Sequence, residues 1–378
     1  MEYFPEEFVK TALEQSETPL YLYDKKLIRE NCRLFQQIDY DNLLVTFASM
    51  ANANPEFLKL VKNEGLGIFV NSSGHLKIAL EVGFKPEQIV FTSSAMNNRL
   101  MQLAAKHDLI LNLDSPGQLK RWWNLFPERS VGIRCNIGDR VEARKTRGGY
   151  FLGKNSRLGL TGSEIEELEG SPLICGLHLY LGTDIIDVAY FEECYSHICA
   201  LADLFPNLEY LDFGGGFGVT TSDGRTFDIK AYGKAVTRLM NKVSQRRNRK
   251  IQLILEPGRI IGGEAGWFVA KVVDIKIRGK KQYVGIDAST AQFSRPLMYP
   301  DSAYHPLSVL DKDICNSDKE FETSVYGCST YSRDFFVQDI PLPRLKQDDI
   351  VVFAHAGSYS ASSFTTFLGF EEPEEIFL

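Results

Sequence analysis

Residues 43–58 read LLVTFASMANANPEFL. The run from Leu43 to Ala48 is apolar, as a buried strand requires, and it breaks into the polar stretch Ser49-Met50-Ala51-Asn52-Ala53-Asn54. Pro55 then suits the first position of a helix, and Glu56-Phe57-Leu58-Lys59-Leu60-Val61 continues a helical pattern. A strand that feeds a short loop and then a helix is the unit from which α/β proteins are built, and they keep their chemistry at the strand's C-terminal end. The residue standing in this loop at position 50 is therefore of particular interest.

The same rhythm repeats outward from this stretch. Apolar runs recur at 67–70, 89–92, 109–113, 131–136, 174–180, 210–213 and 251–255, and helical patterns lie between most of them, at 56–63, 76–82, 99–106, 117–123, 189–204 and 229–243. Eight strands alternating with helices predict an α/β fold, a (β/α)8 TIM-type barrel over residues 26–266, close to the roughly 250 residues usual for one. The gap at 138–159, GDRVEARKTRGGYFLGKNSRLG, predicts a mobile loop over one barrel mouth. From Trp267 the texture changes to short apolar or alternating runs at 267–277, 282–287, 322–326 and 350–353, separated by Gly and Pro turns. These predict a C-terminal all-β domain at 267–378, to which residues 1–25, with a short strand at 19–23, also belong.

Bulk properties narrow the function classes. A chain of 378 residues, 44% apolar and 24% charged, has the composition of an ordinary soluble enzyme, and a net charge of −7 gives no reason to expect nucleic acid or an anionic membrane as a partner. With neither a leader pattern nor a long apolar run, a cytoplasmic location is the expectation. The 7 cysteines show no CxxC spacing and the 6 histidines no HExxH, so reduced thiols and no metal site are expected.

If the barrel is right, function sits at the strand ends. The seventh run ends in Asp212-Phe213-Gly214-Gly215-Gly216-Phe217-Gly218, where glycines let backbone amides approach an anion. The eighth ends in Glu256-Pro257-Gly258-Arg259, which sets an anion-binding arginine beside a carboxylate able to pair with a protonated ring nitrogen. The sixth ends in Gly176-Leu177-His178-Leu179-Tyr180-Leu181-Gly182-Thr183 and offers a stackable ring and a hydroxyl. Each motif alone is as well explained by a tight turn or a packed core. Together, at strand ends and in this order, they point to a phosphorylated, ring-containing cofactor.

Over nearly its whole length the chain resembles the pyridoxal-phosphate (PLP) decarboxylases of the alanine-racemase-like fold, the group that includes diaminopimelate, ornithine and arginine decarboxylases. The resemblance rests on Thr18-Pro19-Leu20-Tyr21-Leu22-Tyr23-Asp24, the GGGFG and EPGR motifs, Ser294-Arg295-Pro296-Leu297-Met298-Tyr299 and Ala356-Gly357-Ser358-Tyr359. It implies that Gly214, Gly215, Gly216, Gly258, Arg259 and Tyr359 hold the phosphate, Glu256 pairs with the pyridine nitrogen, and Tyr180 and Thr183 complete the cofactor site. It implies further that Arg295 and Tyr299 receive a second substrate carboxylate, and that the protein is a homodimer whose partner subunit supplies the segment Gly327–Asp334.

The departures from the family pattern are as informative. Met50 stands at the position of the Schiff-base lysine in a motif resembling YAVKANSNP, and a thioether can neither anchor PLP nor carry a proton. Tyr180 replaces the stacking histidine, Thr330 falls on the catalytic cysteine and Tyr331 on the acidic residue after it, and Phe69 and His75 replace an aspartate and a glutamate. Three readings compete: an engineered lysine-to-methionine variant, a natural divergent member that is non-catalytic or uses PLP non-covalently, and a barrel for another phosphorylated ligand. The number of departures favours the second. Arg295 implies an α-amino acid with a second carboxylate, diaminopimelate-like or an intermediate of siderophore or secondary-metabolite synthesis, whereas Thr330 and Tyr331 argue against ordinary meso-diaminopimelate.

Overall fold

The computed structural model describes residues 5–146, 149–300, 302–314 and 321–378. They form two compact units, 29–261 and a second made of 1–28 with 262–378. A short strand, β1 (Leu20–Tyr23), belongs to the second unit. The first unit is a closed barrel of eight strands, β2 (Leu43–Ala48), β3 (Gly67–Val70), β4 (Ile89–Thr92), β5 (Ile110–Leu113), β6 (Val131–Arg134), β7 (Ile174–His178), β8 (Tyr210–Asp212) and β9 (Gln252–Leu255). Neighbours are parallel, and closure is made by β2 against β9, with Leu43 opposite Leu253 and Val45 opposite Leu255. The α/β barrel and the separate mostly-β unit are the fold read from the sequence.

Helix starts are written locally. Asn54 accepts from the Glu56 N–H (2.8 Å), Ser72 from His75 (3.2 Å), Asn97 from Leu100 (3.0 Å), Ser115 from Gln118 (3.2 Å) and Asp228 from Ala231 (2.9 Å). Each such cap satisfies an orphan amide and contributes about 1 kcal/mol. The basic run 246–250 reads in the sequence as a solvated turn. In the fold it is a turn whose Arg246 donates to the Cys199 carbonyl (2.9 Å) and Arg247 to those of Ala202 (2.8 Å) and Pro206 (2.9 Å), so these arginines cap the C-terminal end of the helical segment 188–204.

Strand register sets what the barrel mouth presents. Arg134 lies opposite His178, and His178 opposite Asp212, so three polar residues form a row at the C-terminal ends of β6, β7 and β8. One layer below, Gly132 lies opposite Gly176 and Gly176 opposite Tyr210. The two glycines make room for one ring. A Cβ at Gly176 would fall inside the Tyr210 ring, and one at Gly132 would meet its hydroxyl, which donates to the Asn112 side chain at 2.8 Å. Beneath the mouth, Ala48, Phe69, Val90, Tyr210 and Ile254 form an apolar cluster against which Met50 packs.

The second unit is organised on β10 (Gly266–Arg278), which pairs antiparallel with β1, β11 (Lys281–Ile286) and β15 (Ile350–Phe353). Three strands absent from the sequence reading, β12 (Leu307–Val309), β14 (Phe335–Leu342) and β16 (Glu374–Phe377), join β15, β13 (Phe321–Tyr326) and β1 respectively. The helix Glu6–Leu13 was also not foreseen; it buries Val9 and Ala12 against Leu20, Leu22, Trp267, Val269 and Val352. Among the described residues, no helix is long and apolar enough to cross a membrane.

Because the Tyr210 ring occupies the space of two missing side chains, Gly176→Ala overpacks a closed layer and should lower unfolding stability by about 3 kcal/mol. A denaturant titration checks it: pairing the change with Tyr210→Leu should recover part of the loss, and an unshifted midpoint for Gly176→Ala would refute the packing account.

Candidate functional site

The mouth of the barrel gathers Met50, Tyr180, Thr183, Gly214, Gly215, Gly216, Glu256, Gly258 and Arg259 within one unit. Backbone bonds fix the loops that carry them: Ala48 N–H donates to the Pro257 carbonyl (3.0 Å), Glu256 N–H to Gly214 (2.8 Å) and Ile185 N–H to Gly216 (2.9 Å). Gly214 and Gly216 have φ of 62° and 97°, in the left-handed region. A Cβ at either position, or at Gly215, would strike the carbonyls of Leu179, Gly182 or Glu256, so the three glycines let adjacent loops close on one another. The result is a cradle walled by main chain.

Its floor is a buried ionisable cluster. His178, Asp212 and Glu256 each present one donor atom within 4.8 Å of the others, and His178 Nε2 is 3.5 Å from Glu256 Oε2. Asp212 is already committed on both oxygens, accepting the Gly214 N–H (2.9 Å) and the Asn112 side-chain amide (3.4 Å). Burial, against a weaker opposing pull from Asp212, holds the Glu256 carboxyl up at about 8. Asp212 is pushed well above the usual carboxylate range by burial and by the Glu256 charge. Burial lowers His178 to about 4 and outweighs Asp212, which favours its cation. The cluster therefore rests with a neutral imidazole and at least one protonated carboxyl. It is a donor set of the kind a metal ion uses, and equally one able to accept a ring N–H.

Around the floor, Tyr180 lies with Phe151 edge-on at 4.9 Å, the Arg134 guanidinium 5.9 Å from its ring centre, and its hydroxyl 3.2 Å from Thr183 Oγ1. Phe151 comes from the 138–159 stretch, of which residues 147–148 lie outside the described residues. That stretch is tied to the barrel by Gly153 N–H to Asn136 (2.7 Å) and Gly159 N–H to Asp114 (3.0 Å). Arg259 is paired through Nε with Asp184 Oδ1 at 2.6 Å. Met50 is half-buried on Phe69, which is 8% exposed. At the preceding residue, Ser49 Oγ lies 3.0 Å from His75 Nδ1.

The other predicted residues belong to the second unit. The Arg295 guanidinium lies 5.4 Å from the Tyr299 ring centre. Thr330 is exposed and Tyr331 half-buried, edge-on to Phe367 at 5.7 Å, in the loop between β13 and β14. Asp334 fastens that loop by accepting from Thr290 N–H (2.7 Å), Thr290 Oγ1 (2.7 Å) and Ser289 Oγ (3.2 Å). Tyr359 follows β15 with φ 55°. Sequence reasoning gave no role to Asp212, Arg134 or Asp184, and named His178 as a member of the sixth run. Register carries the signal for three of them, since polar residues at the ends of β6, β7 and β8 fall in one row.

A carboxyl with a raised pKa keeps its proton in the folded state and loses it in the unfolded chain, so its stabilising proton is lost as pH rises from the ordinary value of 4.5 towards 8. The lowered histidine acts oppositely up to its ordinary 6.5 and offsets this below that pH. Unfolding stability of the ligand-free protein should therefore fall by about 1–2 kcal/mol between pH 6.5 and 8. Glu256→Gln should flatten the fall; denaturant titrations across that window measure it, and a curve unchanged by the substitution would contradict the buried-proton account.

Comparison with known proteins agrees with this geometry. Residues 25–263 match the family described as pyridoxal-dependent decarboxylase, pyridoxal binding domain. The diaminopimelate decarboxylase of Methanothermobacter thermautotrophicus is 28% identical over 374 residues, covering 95% of this chain and 86% of that protein. Among solved structures, Helicobacter pylori diaminopimelate decarboxylase in complex with L-lysine superposes with a TM-score of 0.87 at 23% identity, covering 98% of this chain and 94% of the other. Vibrio vulnificus lysine/ornithine decarboxylase in complex with putrescine gives 0.82 at 19% identity, covering 98% and 97%. The chain belongs to the pyridoxal-dependent decarboxylases, and its barrel is that family's pyridoxal-binding domain.

Proposed function

We propose that this protein holds PLP without a covalent anchor and recognises an α-amino acid carrying a second carboxylate, as a divergent member of its family. The observation that carries this reading is an intact cradle beside an apolar anchor position. Gly214, Gly215, Gly216, Glu256, Gly258 and Arg259 keep the donors that a phosphate and a ring nitrogen need, while Met50 packs on Phe69. A lysine at position 50 would have to place its ammonium against that apolar cluster, and the acidic residues of the family pattern at 69 and 75 are Phe69 and His75. The loss is concerted across three positions, which supports natural divergence over a single engineered change.

When bound, PLP supplies an electron sink. The chain's own residues have separate tasks in this reading. Glu256 accepts the ring N–H, giving up the proton that its burial otherwise forces on it. Arg259, Thr183, Gly258 and the amides of Gly214–216 hold the phosphate, with Tyr359 assigned there by the resemblance, and Tyr180 covers the ring face. Arg295 and Tyr299 receive the distal carboxylate. Thr330 and Tyr331, supplied by the partner subunit of a homodimer, replace the family's cysteine and acidic residue, which favours a specialised substrate over meso-diaminopimelate.

Added PLP should raise the melting temperature and develop a bound-cofactor absorbance spectrum, yet borohydride treatment should leave the chain's mass unchanged; no spectral or thermal response would remove the assignment. Glu256→Ala should weaken PLP binding at least tenfold, about 1.4 kcal/mol, by equilibrium titration. Met50→Lys alone should release no CO2 from a panel of amino acids, since Phe69 provides no counter-charge; turnover by that variant would instead identify a decarboxylase lacking only its lysine.

A further inference from the structure

The proposed cradle already contains an anion. Asp184 Oδ1 lies 2.6 Å from Arg259 Nε, and the two side chains are only 10% and 3% exposed. Burial holds the carboxylate against the guanidinium. Its residue sits at φ 58°, a backbone conformation that Asp tolerates better than most side chains. The flanking chain is clamped on both sides, by Thr183 N–H to Thr146 Oγ1 (3.2 Å), Ile185 N–H to Gly216 (2.9 Å) and Gly218 N–H to Ile185 (3.0 Å). The segment bearing Asp184 is thus laced directly to the glycine loop, through the bridge between Ile185 and Phe217.

We infer that Asp184 is an affinity-setting residue: a built-in counter-anion that neutralises Arg259 before the ligand arrives and competes with the ligand's phosphate for it. The inference rests on the PLP reading above. A guanidinium buried without a partner is strongly destabilising, so an empty cradle gains from an internal carboxylate. A phosphate monoester carries close to two negative charges at neutral pH. Bringing it to a guanidinium already neutralised by a fixed carboxylate yields less Coulomb energy than bringing it to an uncompensated one, and places like charges side by side in a site of low dielectric. The phosphate therefore contributes less to binding here than its donor set implies. Discrimination between PLP and its unphosphorylated analogue, pyridoxal, is correspondingly weak.

Asp184→Asn keeps the side-chain shape and tolerates the same backbone conformation while removing the charge; Asp184→Gly, which suits the positive φ best, serves if the amide variant does not fold. Binding of PLP, pyridoxal and inorganic phosphate is measured by calorimetry on the wild type, the Asp184 variant, Arg259→Gln and the double variant, together with melting temperatures. The Asp184 variant should bind PLP about tenfold more tightly, bind pyridoxal unchanged, melt lower without ligand and show a larger thermal shift with inorganic phosphate. The change should vanish in the Arg259→Gln background. Unchanged or weaker PLP binding by the Asp184 variant would overturn the inference and make Asp184 a support for the arginine. A wild type and variants that all fail to bind PLP would overturn the cofactor reading itself.

Discussion

Three ionisable side chains buried together at the end of the barrel, His178, Asp212 and Glu256, constrain everything around them. Burying a carboxyl without an ionic partner forces it to keep its proton, and burying an imidazole forces it to lose one. Within the cluster, Asp212 accepts from the Gly214 amide and Asn112, and His178 Nε2 lies 3.5 Å from Glu256 Oε2. It has no room for error in register. A slip of one residue in β7 or β8 would turn His178 or Asp212 to the other face of its strand, away from the shared row. The glycine layer beneath, with the Tyr210 ring laid across Gly176 towards Gly132, gives this stretch of the barrel a tight internal register.

One side of this cluster is apolar and the other is ionisable. At the ends of β2 and β3, Met50 and Phe69 extend the apolar cluster of the barrel interior up into the mouth. At the ends of β6, β8 and β9, Arg134 keeps its ionisable group mostly buried and Asp212, Glu256 and Arg259 keep theirs fully so. A side chain that must gain and lose protons cannot work well against Phe69, because each charged state would be desolvated without compensation. A hydrogen-bonding site for a ring nitrogen and an anion has no such difficulty on the opposite side. The division matches binding without covalent attachment.

Much of the barrel was legible because its signals are local: apolar runs of strand length, helical periods between them, and Asn, Ser or Asp at the caps. The glycine and EPGR motifs were legible because each is contiguous and ends a strand. Asp184 was not, since an Asp after Gly182-Thr183 reads as an ordinary loop residue until the fold brings Arg259, 75 positions later in the chain, against it. Arg134 was hidden for the same reason, its partners Asp114 and Tyr180 arriving from other strands. In the second unit, β12 and β16 escaped because 3 and 4 residues are too few to show an alternation, and β14 because Asp339 and Pro341 interrupt it; pairing with β15, β1 and β13 determines them. The helix Glu6–Leu13 was passed over because its acidic first turn masks a stripe that buries only Val9 and Ala12.

The motifs that carry the family resemblance do not all speak for a ligand. Gly214 accepts from the Glu256 amide, Pro257 accepts from Ala48, and Gly216 accepts from Ile185, so the main chain of GGG and EPG is part of how the barrel closes. Any chain closing its barrel in this way needs small residues there, whether or not it binds anything. The side chains of Glu256 and Arg259 are different. Both are buried, and buried ionic groups can often be exchanged for apolar ones of similar volume with no loss of stability. A barrel released from ligand binding would be free to lose Arg259 together with Asp184, and Glu256 together with its proton. That these buried groups persist beside an apolar Met50 is what favours a retained anionic, nitrogen-bearing ligand over a relic of the fold.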